Sequence, residues 1–198
     1  VGRFGTGRNG TMNFPELYKN DLIETINKID LAKVGQAIEW LKAARDEDRQ
    51  IFVCGNGGSA STSSHFVCDM VKGASYKRDK RFRIMALTDN LPAITAYSND
   101  VSYDCIFAEQ LKNFARTGDV LMAISGSGNS PNVIKAVEYA NSIGCKTIGL
   151  TGRDGGKLGP MSSLNIQVPV PHMGRIEDAH MIVCHMIGYY FMDVECRH

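Results

Sequence analysis

The sequence predicts an α/β protein: a three-layer sandwich built on a five-stranded parallel sheet, with helices on both faces. Three observations predict it. Five short runs are apolar almost throughout, as strands buried on both faces must be. Stretches with helical apolar spacing alternate with them. Two of the runs end in glycine- and hydroxyl-rich loops that open a helix, at the strand ends where open parallel sheets bind ligands.

The elements follow in order. Leu17, Ile23, Ile26, Ile29 and Leu31 predict a first helix. Val34, Ala37, Ile38, Leu41 and Ala44 predict a second, and the two make an N-terminal helical hairpin. The strands are "QIFVCG" (50–55), "RIMALT" (83–88), "DVLMAIS" (119–125), "KTIGLTG" (146–152) and "LNIQVPV" (164–170). Helices are expected at Ser61–Val71, Pro92–Tyr97, Ile106–Phe114 and Asn132–Ile143, and a last one at about Arg175–Val194. Residues 14–198 read as one domain. The Gly-rich opening, residues 1–13, reads as an extension or tag remnant, with Met12 a natural start.

Composition excludes several classes of function. The chain has 198 residues, 43% hydrophobic, and a net charge of +1, so it has no electrostatic footprint for nucleic acid. The basic run Tyr76–Arg83 is broken by Asp79 and reads as a solvated loop. No apolar run reaches the roughly 18 residues of a membrane span, and no signal peptide is visible. Six cysteines without a CxxC pair read as free, small hydrophobes of a reducing cytoplasm.

The loops carry the chemistry. "GNGGSAS" follows the first strand and "SGSGNSPN" the third. Glycine lets backbone approach an anion closely, and the free N–H groups of a helix start favour negative charge. Serines add donors, and Pro131 sits where a first-turn proline fixes a helix start. Neither loop has the Walker A lysine or the full dinucleotide spacing. Each alone is equally a capped tight turn. Together they favour a phosphorylated ligand, a sugar phosphate rather than a nucleotide.

Beyond the first loop, His65 and Asp69 stand at i and i+4 on one helix face. On the last helix, Glu177 and His185 are eight residues apart, about 80° around the axis. His180 falls about 60° to the other side of Glu177, where it would touch substrate or a neighbouring subunit rather than join His185. Two histidines and two carboxylates suit Zn²⁺, and equally Mn²⁺, Fe²⁺ or Co²⁺. Each residue also has a plain reading: His65 a helix cap, Asp69 a partner of Lys72, Glu177 a first-turn acid, His185 a core histidine. His172 and His198 read as loop and tail residues. Asp89 and Asn90 follow the second strand, where they either bond sugar hydroxyls or cap the turn.

"CGNGGSA", "AISGSGNSPNVIKAVEYA", "TIGLTGRDGGKL" and "RIEDAHMIVCHMI" resemble, in the same order, segments of the sugar isomerase (SIS) domain family, and within it the phosphoheptose isomerases. The resemblance runs from about residue 15 to 193. It implies a flavodoxin-like sheet and a homotetramer with active sites at subunit interfaces. The implied reaction converts sedoheptulose 7-phosphate to D-glycero-D-manno-heptose 7-phosphate for surface polysaccharide. Ser59, Ser125, Ser127 and Ser130, with Gly57 and Gly58, would hold the phosphate, and Asn56 would shape the sugar site. His65, Asp69, Glu177 and His185 would bind Zn²⁺. Two positions depart from the family: Asp69 where it has Glu, and Glu177 where it has Gln.

Isomerisation needs a base beside the carbonyl carbon and a partner for the oxygen proton. Asp69 is assigned as base and His185 as acid/base partner. The rival readings are a non-catalytic adaptor of the type that binds the initiator DnaA, a sugar-phosphate sensor, and an isomerase of another sugar phosphate. The carboxylate at 69 and the histidine at 185 favour an enzyme, and no residues are left for a sensor's DNA-binding domain.

Overall fold

The computed structural model describes residues 13–195. Expectations for the opening residues 1–12, Met12 among them, and for Cys196 and His198 lie outside that range.

The chain opens with α1 (Phe14–Ile26), whose Asn13 and Glu16 form a reciprocal capping box. The predicted first helix is broken after Ile26. Asp30 accepts from Ala32 N and Lys33 N, and so starts α2 (Leu31–Asp46) afresh. Ile29 is buried in the turn between them.

The strands are β1 (Gln50–Gly55), β2 (Arg83–Ala86), β3 (Val120–Ser125), β4 (Lys146–Gly152) and β5 (Leu164–Val168). All pair in parallel, in the order β2-β1-β3-β4-β5. β3 is buried along its whole length, which is why it reads as an unbroken apolar run. The winding direction reverses between β1 and β3. That opens a crevice at their carboxyl ends, where both glycine loops stand.

Between the strands lie α3 (Gly58–Cys68), α4 (Leu91–Asp100), α5 (Ile106–Phe114), α6 (Pro131–Ser142), the short α7 (Leu158–Met161) and α8 (Met173–Tyr189). One core cluster joins α2, α3 and α8 to one sheet face through Leu41, Phe66, Ile176 and Val183. The other joins α5 and α6 to the opposite face through Phe107, Leu111, Val133 and Val137. The expected helices at 61–71 and 175–194 are not α-helical throughout. π-turns take over at Asp69–Gly73 and Tyr190–Val194. They pack together: a Cβ on Gly73 would fall on the Met192 side chain.

Arg45 ties the end of the second π-turn down. Its guanidinium lies over the rings of Phe82 and Phe191, 5.2 and 5.6 Å from their centroids, and pairs with Glu195. That pairing holds the Glu195 carboxyl below the usual range. The basic run before β2 is solvent-facing as expected, except for buried Phe82. No helix among the described residues is long and apolar enough to cross a membrane.

Candidate active site

β1 delivers the first loop and β3 the second, side by side. Gly57 has φ +55° and ψ −121°, a conformation that side-chain-bearing residues avoid. Gly55 has no room for more: a Cβ there would stand 2.9 Å from the Ile124 carbonyl. Neither α3 nor α6 has a side-chain cap bond at its start. Ser59 N and Ala60 N turn back to the Asn56 and Gly57 carbonyls and Val133 N bonds Asn132 Oδ1, which leaves the N–H groups of Gly58 and Asn132 for a ligand at the two helix starts. In the second loop the Ser125 Oγ lies 3.2 Å from Ser130 Oγ and 3.5 Å from Ser127 Oγ. Three hydroxyls gathered this tightly offer donors to one acceptor.

The second loop is braced from behind. Gly128 takes φ +65°, and its carbonyl accepts from Leu158 N at 2.9 Å. Asn129 Oδ1 accepts from Lys157 N at 3.1 Å. A Cβ on Gly128 would fall on the Gly155 carbonyl oxygen. The segment "TGRDGGKL" thus serves as a backstop for the serine loop.

Asn56, Gly57, Gly58, Ser59, Ser125, Ser127 and Ser130 all line one cleft of about 260 Å³. Met173 and Glu177 of α8 close its side. The Glu177 carboxylate rests on Gly58, where a Cβ would be 2.7 Å from its Cδ.

Further along α3 and α8 a second group forms. His65 Nε2 is 3.1 Å from His185 Nε2, and the Asp69 Oδ2 is 3.4 Å from the first and 3.7 Å from the second. Donors held about 2.0–2.1 Å from a tetrahedral Zn²⁺ stand about 3.4 Å apart, so the three atoms match one face of such a site. The shorter Asp69 therefore reaches both imidazoles.

Glu177 does not join them within one chain. The expected four-residue set separates into a triad and a cleft carboxylate. Eight residues of α-helix separate Glu177 from His185 by about 12 Å of axial rise, which an angular argument alone overlooks.

The other expected residues fall as follows. Asp89 accepts from the Ser64 hydroxyl, and Asn90 caps α4 by accepting from Ala93 N at 3.4 Å. Both sit in the turn after β2 and outside this cleft's lining: Asn90 caps a helix, and Asp89 bonds a side chain of α3. His180 is buried and its Nε2 meets the Thr151 carbonyl at 3.0 Å. Burial lowers its pKa to about 4, so it is a neutral residue of the core. His172 caps α8 through Arg175 N.

Two residues went unread in the sequence. Asn132 is buried and exchanges two 2.9 Å amide bonds with Asn56, and Tyr103 donates to Asn56 Oδ1 at 2.9 Å. Only the position of Asn132 at the helix start beside the loop could have signalled it.

Set against known proteins, the class comes first: the SIS domain profile matches residues 18–152, and the chain belongs to the SIS domain family. Within that family it is similar to phosphoheptose isomerases. It is 41% identical to the probable phosphoheptose isomerase of Thermoplasma volcanium over 172 residues, 85% of this chain and 87% of that one. It is 42% identical to the phosphoheptose isomerase of Aliarcobacter butzleri over 168 residues, 84% and 85% of the two. The structure of the Neisseria gonorrhoeae phosphoheptose isomerase superposes with a TM-score of 0.83 at 35% identity, covering 90% of this chain and 96% of that one.

Proposed function

We propose that this chain is a phosphoheptose isomerase, converting sedoheptulose 7-phosphate to D-glycero-D-manno-heptose 7-phosphate. The observation that carries this reading is the shared helix α3: it starts in the serine cleft and ends in the His65–Asp69–His185 triad. Ser59 and His65 are six residues apart, about 9 Å of helical rise. An extended heptulose 7-phosphate spans a comparable distance, so phosphate in the cleft puts its far carbons near the triad. Relatives that carry the same activity by name, at about 40% identity over most of both chains, support the choice.

The reaction removes a proton from C1 of the ketose, transfers the C1 hydroxyl proton, and returns a proton to C2. Asp69 takes the carbon-bound proton, and His185 handles the proton on oxygen as the enediol forms. Uncapped N–H groups and serine hydroxyls anchor the phosphate, so remote binding orients the reacting carbons. His65, Asp69 and His185 would hold a Zn²⁺ ion. Bound there, Zn²⁺ supplies a Lewis acid for the substrate's carbonyl oxygen.

The working form is a cytoplasmic homotetramer that feeds surface polysaccharide synthesis. Exposed Leu91, Val101 and Phe114 supply apolar contact area for subunit pairing.

Purified protein assayed on C5 to C7 ketose phosphates, with metal content measured in parallel, tests the reading. Turnover of sedoheptulose 7-phosphate is expected. Binding of sugar phosphate with no turnover on any member would favour the adaptor class instead.

A further inference from the structure

Tyr103 begins a short 3₁₀ turn, Tyr103–Cys105, before α5. Its backbone is pinned. Ser102 Oγ accepts from Asp104 N at 3.1 Å, and Asp104 pairs with Lys135 of α6 at 3.5 Å. The ring is 51% exposed, yet its hydroxyl reaches the cleft residue Asn56.

The hydrogen bonds around Asn56 decide what that hydroxyl can do. Asn56 and Asn132 lock each other through two amide bonds, and Asn132 Oδ1 also accepts from Val133 N at 3.0 Å. The Asn56 carbonyl oxygen therefore accepts twice, from Asn132 Nδ2 and from the Tyr103 hydroxyl. Both lone pairs are used. The Tyr103 proton is committed to Asn56, and the phenol oxygen remains as an acceptor beside that cleft residue. The dianion of a phosphate monoester has only acceptors and cannot bond to it. A sugar hydroxyl can.

We propose that Tyr103 is a specificity-determining residue that accepts a hydrogen bond from a hydroxyl of the sugar chain while the serine cradle holds the phosphate. The assignment rests on the isomerase reading, and it separates polyol recognition from phosphate recognition. Substrates differing in the hydroxyls next to the phosphate end are discriminated here.

The test compares wild type, Tyr103→Phe and Tyr103→Ala in the full chain. It measures kcat and KM for sedoheptulose 7-phosphate, and inhibition by inorganic phosphate. Tyr103→Phe is expected to raise KM about 3- to 10-fold, the scale of one lost neutral hydrogen bond, with kcat within about 2-fold. Phosphate inhibition is expected to be unchanged. A parallel weakening of phosphate would mean that Tyr103 only braces Asn56, and would overturn the proposal. So would an unchanged KM. If wild type turns over no ketose phosphate, the isomerase reading fails on its own. Calorimetric binding of sugar phosphate against phosphate then decides Tyr103 separately, by the same selective loss or its absence.

Discussion

His65 Nε2 and His185 Nε2 face each other at 3.1 Å across 120 residues of chain. Two imidazole nitrogens at that distance must share a proton or a cation, since two bare lone pairs repel. The Asp69 carboxylate beside both supplies the negative charge that a cation would offset.

His65→Ala and His185→Ala should each reduce bound Zn²⁺ from about one per chain to a small fraction, read by metal analysis of dialysed protein. Asp69→Asn and His185→Ala should each lower kcat about 100-fold or more, the scale of a lost acid/base group. Near-wild-type turnover in both would end the assignment of base and partner.

The braced serine loop makes a separate prediction. Gly128→Ala must fit a side chain where φ is +65° and the Gly155 carbonyl already stands. KM for the sugar phosphate should rise about 10-fold or more as the Ser125, Ser127 and Ser130 hydroxyls lose register. Ser127→Ala, which removes one donor together with the Oγ that accepts from Asn129 N at 3.2 Å, should cost a similar factor. Steady-state kinetics on both variants check this.

His180 sets an acid limit on stability. Its folded-state pKa is about 4 against an ordinary 6.5, depressed by burial. The unfolded chain therefore takes up a proton first as pH falls. The stabilisation is full above pH 6.5 and is lost as pH drops toward 4, on the order of 3 kcal/mol in all. Arg45-paired Glu195, also depressed, adds loss in the same direction at lower pH. His180→Asn should flatten the fall in urea midpoint between pH 6.5 and 4. An equally steep fall would show that other groups govern it.

Thiol labelling should be ordered by environment. Cys54 and Cys184 are buried, with pKa values pushed up to about 12, and Cys145 to about 11. Cys68 is exposed and stands beside Asp69. Among the described cysteines, a maleimide at neutral pH should modify Cys68 first, found by peptide mapping, and leave Cys54 and Cys184 intact until unfolding.

Much of this was legible because the signals were local. β1, β4 and α5 appear over the residues their apolar runs marked. The two loops announced the cleft because glycine and serine there are needed for backbone approach and donation. What stayed hidden depends on tertiary context. The π-turn at Asp69 leaves no trace in a period that still reads as helical. Asp89 and Asn90 have the same composition whether they bind sugar or cap a turn. Glu177 lay on the expected face of α8, but its height along the axis placed it with the phosphate residues. Tyr103 looked like any surface aromatic, since its partner Asn56 is 47 residues away. Cys68 reads as one more small apolar residue, yet it faces solvent.

The π-turn at Asp69–Gly73 has a consequence for length variation. Ala74 N bonds the Asp69 carbonyl five residues back, so this turn holds one residue more than α-helix would. Deleting one residue from Met70–Gly73 would let the helix close normally, with His65 and Asp69 kept in step. Ala74 N would then meet the Asp69 carbonyl from four residues on, and the chain beyond would leave in nearly the same direction. With Met70 kept, Ser75 would still join the Met70 carbonyl to Phe82 N, and Phe82 would stay under Arg45. A chain one residue shorter at Val71 or Lys72 would keep both its triad residues and the strut that leads into the edge strand β2.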